Sequence, residues 1–252
     1  MGAATYKEDT MRIKIINPNT TQSMTDSIYH AAKSVARADT EILCVSPEKG
    51  PISIENWHDE AYASIGVIEE VRKGQNEDID AFITACYGDP GIYPSRELSI
   101  APVVGIAEAS MHLATFVAYK FSVVTILPRW KMVMEEVVHK YGLSDRCASI
   151  RCTDMEVLEF EANPEKGAKL LLEESIRAIS EDGAEAICLG CAGMVDFAAD
   201  LEEKLGVPVF DGVTAAVKIA ESLVDLNKTT CKRLYFNYPL PKTYKGYDFV
   251  IK

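Results

Sequence analysis

Positive charge is scarce in this chain. Its 26 lysines and arginines stand against 38 aspartates and glutamates, a formal net charge of −12. Recognition of DNA, RNA or an anionic membrane surface draws on clustered Lys and Arg, so the balance excludes those partners and leaves small molecules or other proteins. Long apolar runs are missing as well. No window approaches the roughly 18 apolar residues of a membrane span, and residues 1–10, with Lys7, Glu8 and Asp9, lack the apolar core of a secretory signal. Tyr6 stands where myristoylation after Gly2 would need Ser or Thr. Histidine is limited to four residues, and none of His30, His58, His112 or His139 has ligand spacing with the lone C-x-x-C at Cys188-Leu189-Gly190-Cys191, which argues against zinc. The seven cysteines are odd in number and sparse for 252 residues. That pattern fits free thiols in a reducing compartment rather than a disulfide framework. The expectation is a cytoplasmic protein whose residues 1–10 form a disordered leader.

What is present is a regular alternation. With 48% hydrophobic and 25% charged residues the chain can bury a substantial core. Apolar runs predict strands at 12–16, 41–45, 81–85, 102–106, 121–127, 148–152, 184–189 and 207–210. Helical spacing predicts helices at 21–37, 57–74, 93–98, 107–119, 130–141, 164–181, 195–205 and 214–226. Asn17-Pro18-Asn19-Thr20 ends the first strand, and Thr20 or Thr21 can cap the helix after it. From Lys120 the same programme restarts, and Pro102 and Pro208 follow Cys86 and Cys191 at spacings that agree to one residue. Strands alternating with helices imply parallel pairing with right-handed crossovers. The predicted fold is therefore α/β: two pseudo-symmetric lobes, each a mainly parallel four-stranded sheet flanked by helices, with the active site in the cleft between them. The first lobe is expected to comprise 11–107 plus 214–252 and the second 108–213. The residues from Thr229 onward, with Pro239, Pro241 and four tyrosines, read as an irregular tail laid over the surface or against a neighbouring subunit of a homo-oligomer.

Two cysteines sit at equivalent places in the repeat. Cys86 begins Cys86-Tyr87-Gly88-Asp89-Pro90-Gly91, and Cys191 lies in Leu189-Gly190-Cys191-Ala192-Gly193-Met194, each where a strand gives way to glycine. Ligands of open parallel sheets bind beyond the carboxyl ends of the strands, so these two thiols can face one another across a small substrate. Cys44 and Cys188, inside apolar strands, read as small hydrophobes. A thioredoxin-like dithiol would put both of its cysteines at a helix start, which Cys188 is not. Cysteine-protease chemistry needs a histidine base; no strand-end loop holds one, and only a spatial neighbour would keep that chemistry open. Acid–base work by two thiols remains. Inverting a carbon centre takes a base on one face and an acid on the other. A fall of about one pKa unit, roughly 1.4 kcal/mol, at a helix amino terminus would leave a useful thiolate fraction. The amides of Tyr87, Gly88, Ala192 and Gly193 could then donate to the oxygen that becomes negative when the proton leaves.

These motifs, together with Gly50-Pro51, Ser53-Ile54-Glu55 and Pro102-Val103-Val104-Gly105-Ile106-Ala107-Glu108-Ala109, resemble the hydantoin and allantoin racemases of the aspartate/glutamate racemase superfamily. The resemblance runs from about Met11 to Leu226. It implies a two-lobed α/β isomerase that uses no cofactor and racemises a cyclic ureide at C5, with Cys86 and Cys191 as the acid–base pair. It further implies that Asn17, Gly88, Ala192 and Gly193 hold ring oxygens or nitrogens, with Thr125 joining them from the equivalent strand end. Tyr87 stands where phenylalanine is common in the family and would bear on the side-chain pocket. Other roles stay plainer: Asn17 can also serve as a turn and cap, Asp89 turns or caps its loop, Ser53 and Glu55 border the pocket or hold their loop, and Trp57, Trp130 and the helical methionines read as core or interface. Within the superfamily the alternatives are an aspartate/glutamate racemase or a diacid isomerase; the decarboxylase pattern keeps only one of these cysteines. Outside it, the alternative is a non-catalytic ureide-binding protein.

Overall fold

The strands that carry the site are buried on both faces. In the computed structural model, which describes residues 10–246 and 250–251, β1 (Met11–Ile16), β3 (Ala81–Thr84), β5 (Phe121–Thr125) and β7 (Ala186–Leu189) are the inner strands of two four-stranded sheets. The first sheet has the order β2-β1-β3-β4, with β2 at Thr40–Val45 and β4 at Val103–Gly105. The second has the order β6-β5-β7-β8, with β6 at Cys147–Cys152 and β8 at Val209–Phe210. Every pairing within these two sheets is parallel, as helix-connected strands require. Ile13, Ile15, Ile83, Val123 and Ile187 have no exposed surface, and burying each such side chain contributes roughly 1.5–3 kcal/mol. One charge lies among them: Lys14, 3% exposed, pairs with Glu77 at 2.8 Å and Glu70 at 3.3 Å.

Helix boundaries follow their local chemistry. Asn56 caps α2 (Trp57–Gly74) by accepting from the Asp59 amide at 3.0 Å, and Asp211 caps α9 (Gly212–Asp225) through the Thr214 amide at 2.8 Å. Pro164 opens α7 (Pro164–Asp182), and Gly183, at φ +74°, closes it. For α1 (Gln22–Val35) neither expected threonine caps through its side chain: the Thr20 and Thr21 hydroxyls go to the Pro51 and Ile52 carbonyls, and the Asn19 side chain accepts from the Thr21 amide at 2.9 Å just ahead of the helix. β3 and β5 end one and two residues earlier than their apolar runs, with Ala85 and Ile126 still buried beyond the last paired residue. The helix expected at 195–205 is a 3-10 segment, Ala192–Phe197, followed by α8 (Ala198–Leu205). A six-residue helix, α6 (Val157–Ala162), has no counterpart in the predicted elements, being too short for a periodic signal.

Two helices change sides. α4 (Ile106–Val117) follows β4 of the first sheet but packs on β5, β7 and β8 of the second; α9 follows β8 but packs on β1, β3 and β4. They pack on each other, so one continuous core runs through both sheets. The outer face of the first sheet is covered by α2 and α3 (Ile92–Leu98) around Val67, Val71, Phe82 and Ile92. α5 (Lys131–Lys140) packs on β6. The expected irregular tail contains a short antiparallel pair, β9 (Lys242–Thr243) with β10 (Val250–Ile251). It is pinned to the first sheet's edge: Thr230 donates its amide to the Ile100 carbonyl at 2.8 Å, and Lys232 donates to the carbonyls of Arg96 and Glu97 at the end of α3. Apart from Thr10, the expected leader lies outside the described residues.

Candidate active site

The ends of the four inner strands converge. Ile16 pairs with Thr84 and Val124 with Leu189, so Asn17 and Thr125 occupy equivalent positions and Cys86 and Cys191 follow their strands at the same distance. Both thiols are half-buried and line one cavity. From their own loops come Ala85, Tyr87, Gly190 and Ala192, while Asn19, Met24, Ile54, Ile126, Trp130 and Val157 complete the wall. The free volume is about 20 Å³, room for one or two waters and too little for a five-membered ring with substituents.

Each thiol meets the backbone in the same way. The Gly88 amide hydrogen-bonds the Cys86 sulfur, and the Gly193 amide hydrogen-bonds the Cys191 sulfur. These bonds favour the thiolates, but burial outweighs them. Burial pushes the Cys191 thiol up to about 11, with the charge of Glu55 adding to the rise. Burial raises Cys86 above the ordinary thiol range too, reinforced by the charges of Cys191, Glu60 and Asp89. The expected lowering at a helix amino terminus is therefore corrected: Cys191 precedes only a short 3-10 segment, Cys86 precedes none, and desolvation of a thiolate costs more than one amide returns.

The expected binding residues divide. Tyr87 and Ala192 are on the wall. The Tyr87 hydroxyl, however, shares a 2.7 Å hydrogen bond with Ser110 and leans on Cys188, so its oxygen faces the core and not the cavity. Asn17 is fully buried behind the wall, its amide donating to Asn19 Oδ1 and Thr25 Oγ1 at 3.0 Å each; Asn19 is the asparagine that reaches the cavity. Thr125 is likewise one layer back, donating to the Gly190 carbonyl at 2.9 Å, and a Cβ on Gly190 would lie only 2.6 Å from the Thr125 Cβ. Gly88 and Gly193 line two flanking grooves, between α2 and α5 and between α1 and α6 respectively. Glu55 accepts from the Val157 amide at 2.8 Å and so ties its loop to α6 across the cavity mouth. Asp89 caps a helix, as expected, though the helix is α4 and not one of its own loop: its carboxylate accepts from the Ala107 and Glu108 amides, and burial raises its pKa to about 6.

The chain matches the family model described as Asp/Glu/Hydantoin racemase over residues 13–220. It is 56% identical to a hydantoin racemase of Pseudomonas sp. (strain NS671) over 236 residues, covering 94% of this chain and 95% of the relative. The chain belongs to the Asp/Glu/Hydantoin racemase family. Within this family of isomerases its fold is that of allantoin racemase from Klebsiella pneumoniae, with a TM-score of 0.92 at 45% identity over 94% of this chain and 96% of the other. Allantoin racemase from Pseudomonas fluorescens superposes with a TM-score of 0.91 at 42% identity, over 94% and 100%. Like those racemases this chain is an isomerase.

Several wall residues carry no distinctive sequence signal. Met24, Ile54 and Val157 are apolar side chains among many, and Asn19 is indistinguishable from Asn17 within one turn. Trp130 is 2% exposed and reads as core, yet its place just beyond the end of β5, where the other half carries its asparagine turn, marks it as a site residue once the repeat is recognised. Glu60 carries no such signal either. A Cβ on Gly88 would lie 3.3 Å from both Glu60 and Trp130, so these two side chains pin the Cys86 loop from either side.

Proposed function

We propose that this protein racemises 5-substituted hydantoins or allantoin at C5, without a cofactor, by proton transfer between Cys86 and Cys191. The observation that carries this reading is the pair of thiols on one cavity, each with the amide two residues on aimed at its sulfur. The wall includes no Lys or Arg, so a diacid or amino acid would lose hydration without gaining a counter-ion, whereas a neutral ring would not.

Burial raises both thiols, so the base is the small thiolate fraction of one of them, taken here as Cys191. It takes the C5 proton, and the C–H electron pair moves onto the neighbouring ring carbonyl oxygen. Since the Gly88 and Gly193 amides serve the sulfurs, the Tyr87 and Ala192 amides are the donors assigned to that oxygen, with the Asn19 amide holding the ring. Cys86 then delivers its proton to the opposite face and becomes the thiolate. The reverse sequence serves the other enantiomer.

On this reading the lobes are 11–107 with 214–252 and 108–213, so that each contributes one acid–base group. A cytoplasmic setting is supported by seven free thiols. A homo-oligomer is supported by an outer tail that leaves Tyr235 86% and Leu240 75% exposed.

The test is deuterium uptake at C5 in heavy water together with decay of optical rotation, across a panel of 5-substituted hydantoins and allantoin. Rotation that persists with every member of the panel overturns the proposal. Cys86→Ser and Cys191→Ser should each lose more than about a thousandfold in racemisation rate. Full activity in either variant removes that thiol from the mechanism.

A further inference from the structure

Asp89 does more than turn its loop. Its amide donates to the Cys86 carbonyl at 2.9 Å, closing a tight turn that begins at the thiol-bearing residue itself. Its φ of +49° lies in the left-handed region, which few residues other than glycine adopt, and its side chain is nearly sealed at 2% exposure. From there the carboxylate reaches two elements that pack on the second sheet. Oδ1 accepts from the Ala107 amide at 3.2 Å and Oδ2 from the Glu108 amide at 3.0 Å, both in the first turn of α4. Oδ2 also accepts from the Tyr141 hydroxyl at 2.6 Å, just beyond the end of α5. Gly105 makes this possible, since a Cβ there would come within 2.2 Å of the carboxylate. The Tyr141 ring is held in turn, with the Lys140 ammonium 4.7 Å from its centre and His112 edge-on at 6.4 Å.

Cys86 therefore hangs from the first sheet, while its turn is bolted to elements that rest on the sheet carrying Cys191. We propose that Asp89, acting through Tyr141 and the first turn of α4, is a positioning residue that sets the Cys86 sulfur at its working place opposite Cys191. This rests on the two-thiol reading above. Asp89 does not itself line the cavity and takes no proton from substrate; it decides where the sulfur stands.

Tyr141→Phe removes one hydrogen bond and keeps the ring, and Asp89→Asn keeps the size while turning one acceptor into a donor that faces other donors. Two readouts are taken on each folded variant and on the unaltered protein. The first is kcat and KM for racemisation; the second is the rate of iodoacetamide alkylation at Cys86 and at Cys191 across pH, resolved by peptide mass spectrometry. Tyr141→Phe should lower kcat by about tenfold, the loss of one hydrogen bond to a charged group, with KM changed less than about twofold. Asp89→Asn should lower it further. The alkylation profile of Cys86 should shift and that of Cys191 stay in place. An unchanged kcat in both variants, or profiles of the two cysteines that shift together, overturns the proposal. If the unaltered protein racemises nothing while the Cys86 profile alone still moves, the racemase reading fails and the positioning of Cys86 stands.

Discussion

Raising the pH should accelerate this enzyme well past the point where an ordinary thiol has finished titrating. Burial holds Cys191 near 11 against a reference of 9.0 for the same group in water. Two units mean that at any pH below 9 the base form is scarcer by about a hundredfold, equivalent to about 2.7 kcal/mol. At pH 8 about one site in a thousand would carry the thiolate, compared with about one in ten for the reference group. On the two-thiol reading, burial likewise keeps the Cys86 thiol protonated through the same range and available as the acid. The expected result is that kcat/KM, which reports the free enzyme, climbs about tenfold per unit from pH 7 to pH 10. The assay follows loss of rotation of one enantiomer of a slowly self-racemising hydantoin, with the spontaneous base-catalysed rate subtracted at each pH. A plateau reached at or below pH 9 would refute the reasoning, since it would mean that the thiolate forms in a solvated, opened cavity.

Three further outcomes test other parts of the structure. Cys188 is fully buried and its thiol stays protonated in the folded state while the unfolded one ionises, so each pH unit above about 8.5 costs about 1.4 kcal/mol of stability. In Cys188→Ala the loss of urea stability between pH 8 and pH 10 should shrink by about 2 kcal/mol; an equal loss in both proteins contradicts the burial argument. Gly190→Ala would force a Cβ to within 2.6 Å of Thr125 and 2.9 Å of Val123, in a buried corner with no flexible neighbour, and should lower stability by about 1–3 kcal/mol as read by a thermal melt. An unchanged melting temperature would show that the two strand ends separate freely. Trp130→Phe trims the wall of the small cavity and should raise the kcat/KM ratio of 5-benzyl- to 5-methylhydantoin by about tenfold; a constant ratio would place the ring substituent elsewhere.

Much of this fold could be read from local pattern. The inner strands are short apolar runs, the helices between them show regular spacing, and both thiols fall where a strand meets glycine, so order, type and the repeat follow from residues near one another in the chain. The expected ends of Trp57–Gly74 coincide with those of the helix because Asn56 and the residues after it carry capping chemistry. Where local pattern misleads, the cause is distant. Ala85 and Ile126 look like strand residues because they are apolar, but they lie past the last paired residues, on the wall of a cavity lined from both halves. The six residues of α6 are held by the Glu55 carboxylate from the far side of the mouth, a contact that helical periodicity does not encode.

Chain order, the duplicated halves and the two strand-end thiols follow from the amino acids alone, because these depend on apolar spacing and on where a strand gives way to glycine. Three matters were settled only by packing. Asn19 and not Asn17 reaches the cavity, because Thr25 and the turn backbone claim the first asparagine. The thiols are raised and not lowered, because desolvation is a property of everything around a sulfur and of nothing in its own loop. Asp89 meets Tyr141, 52 residues further on, because α4 and α5 bring the second half of the chain against the turn of the first.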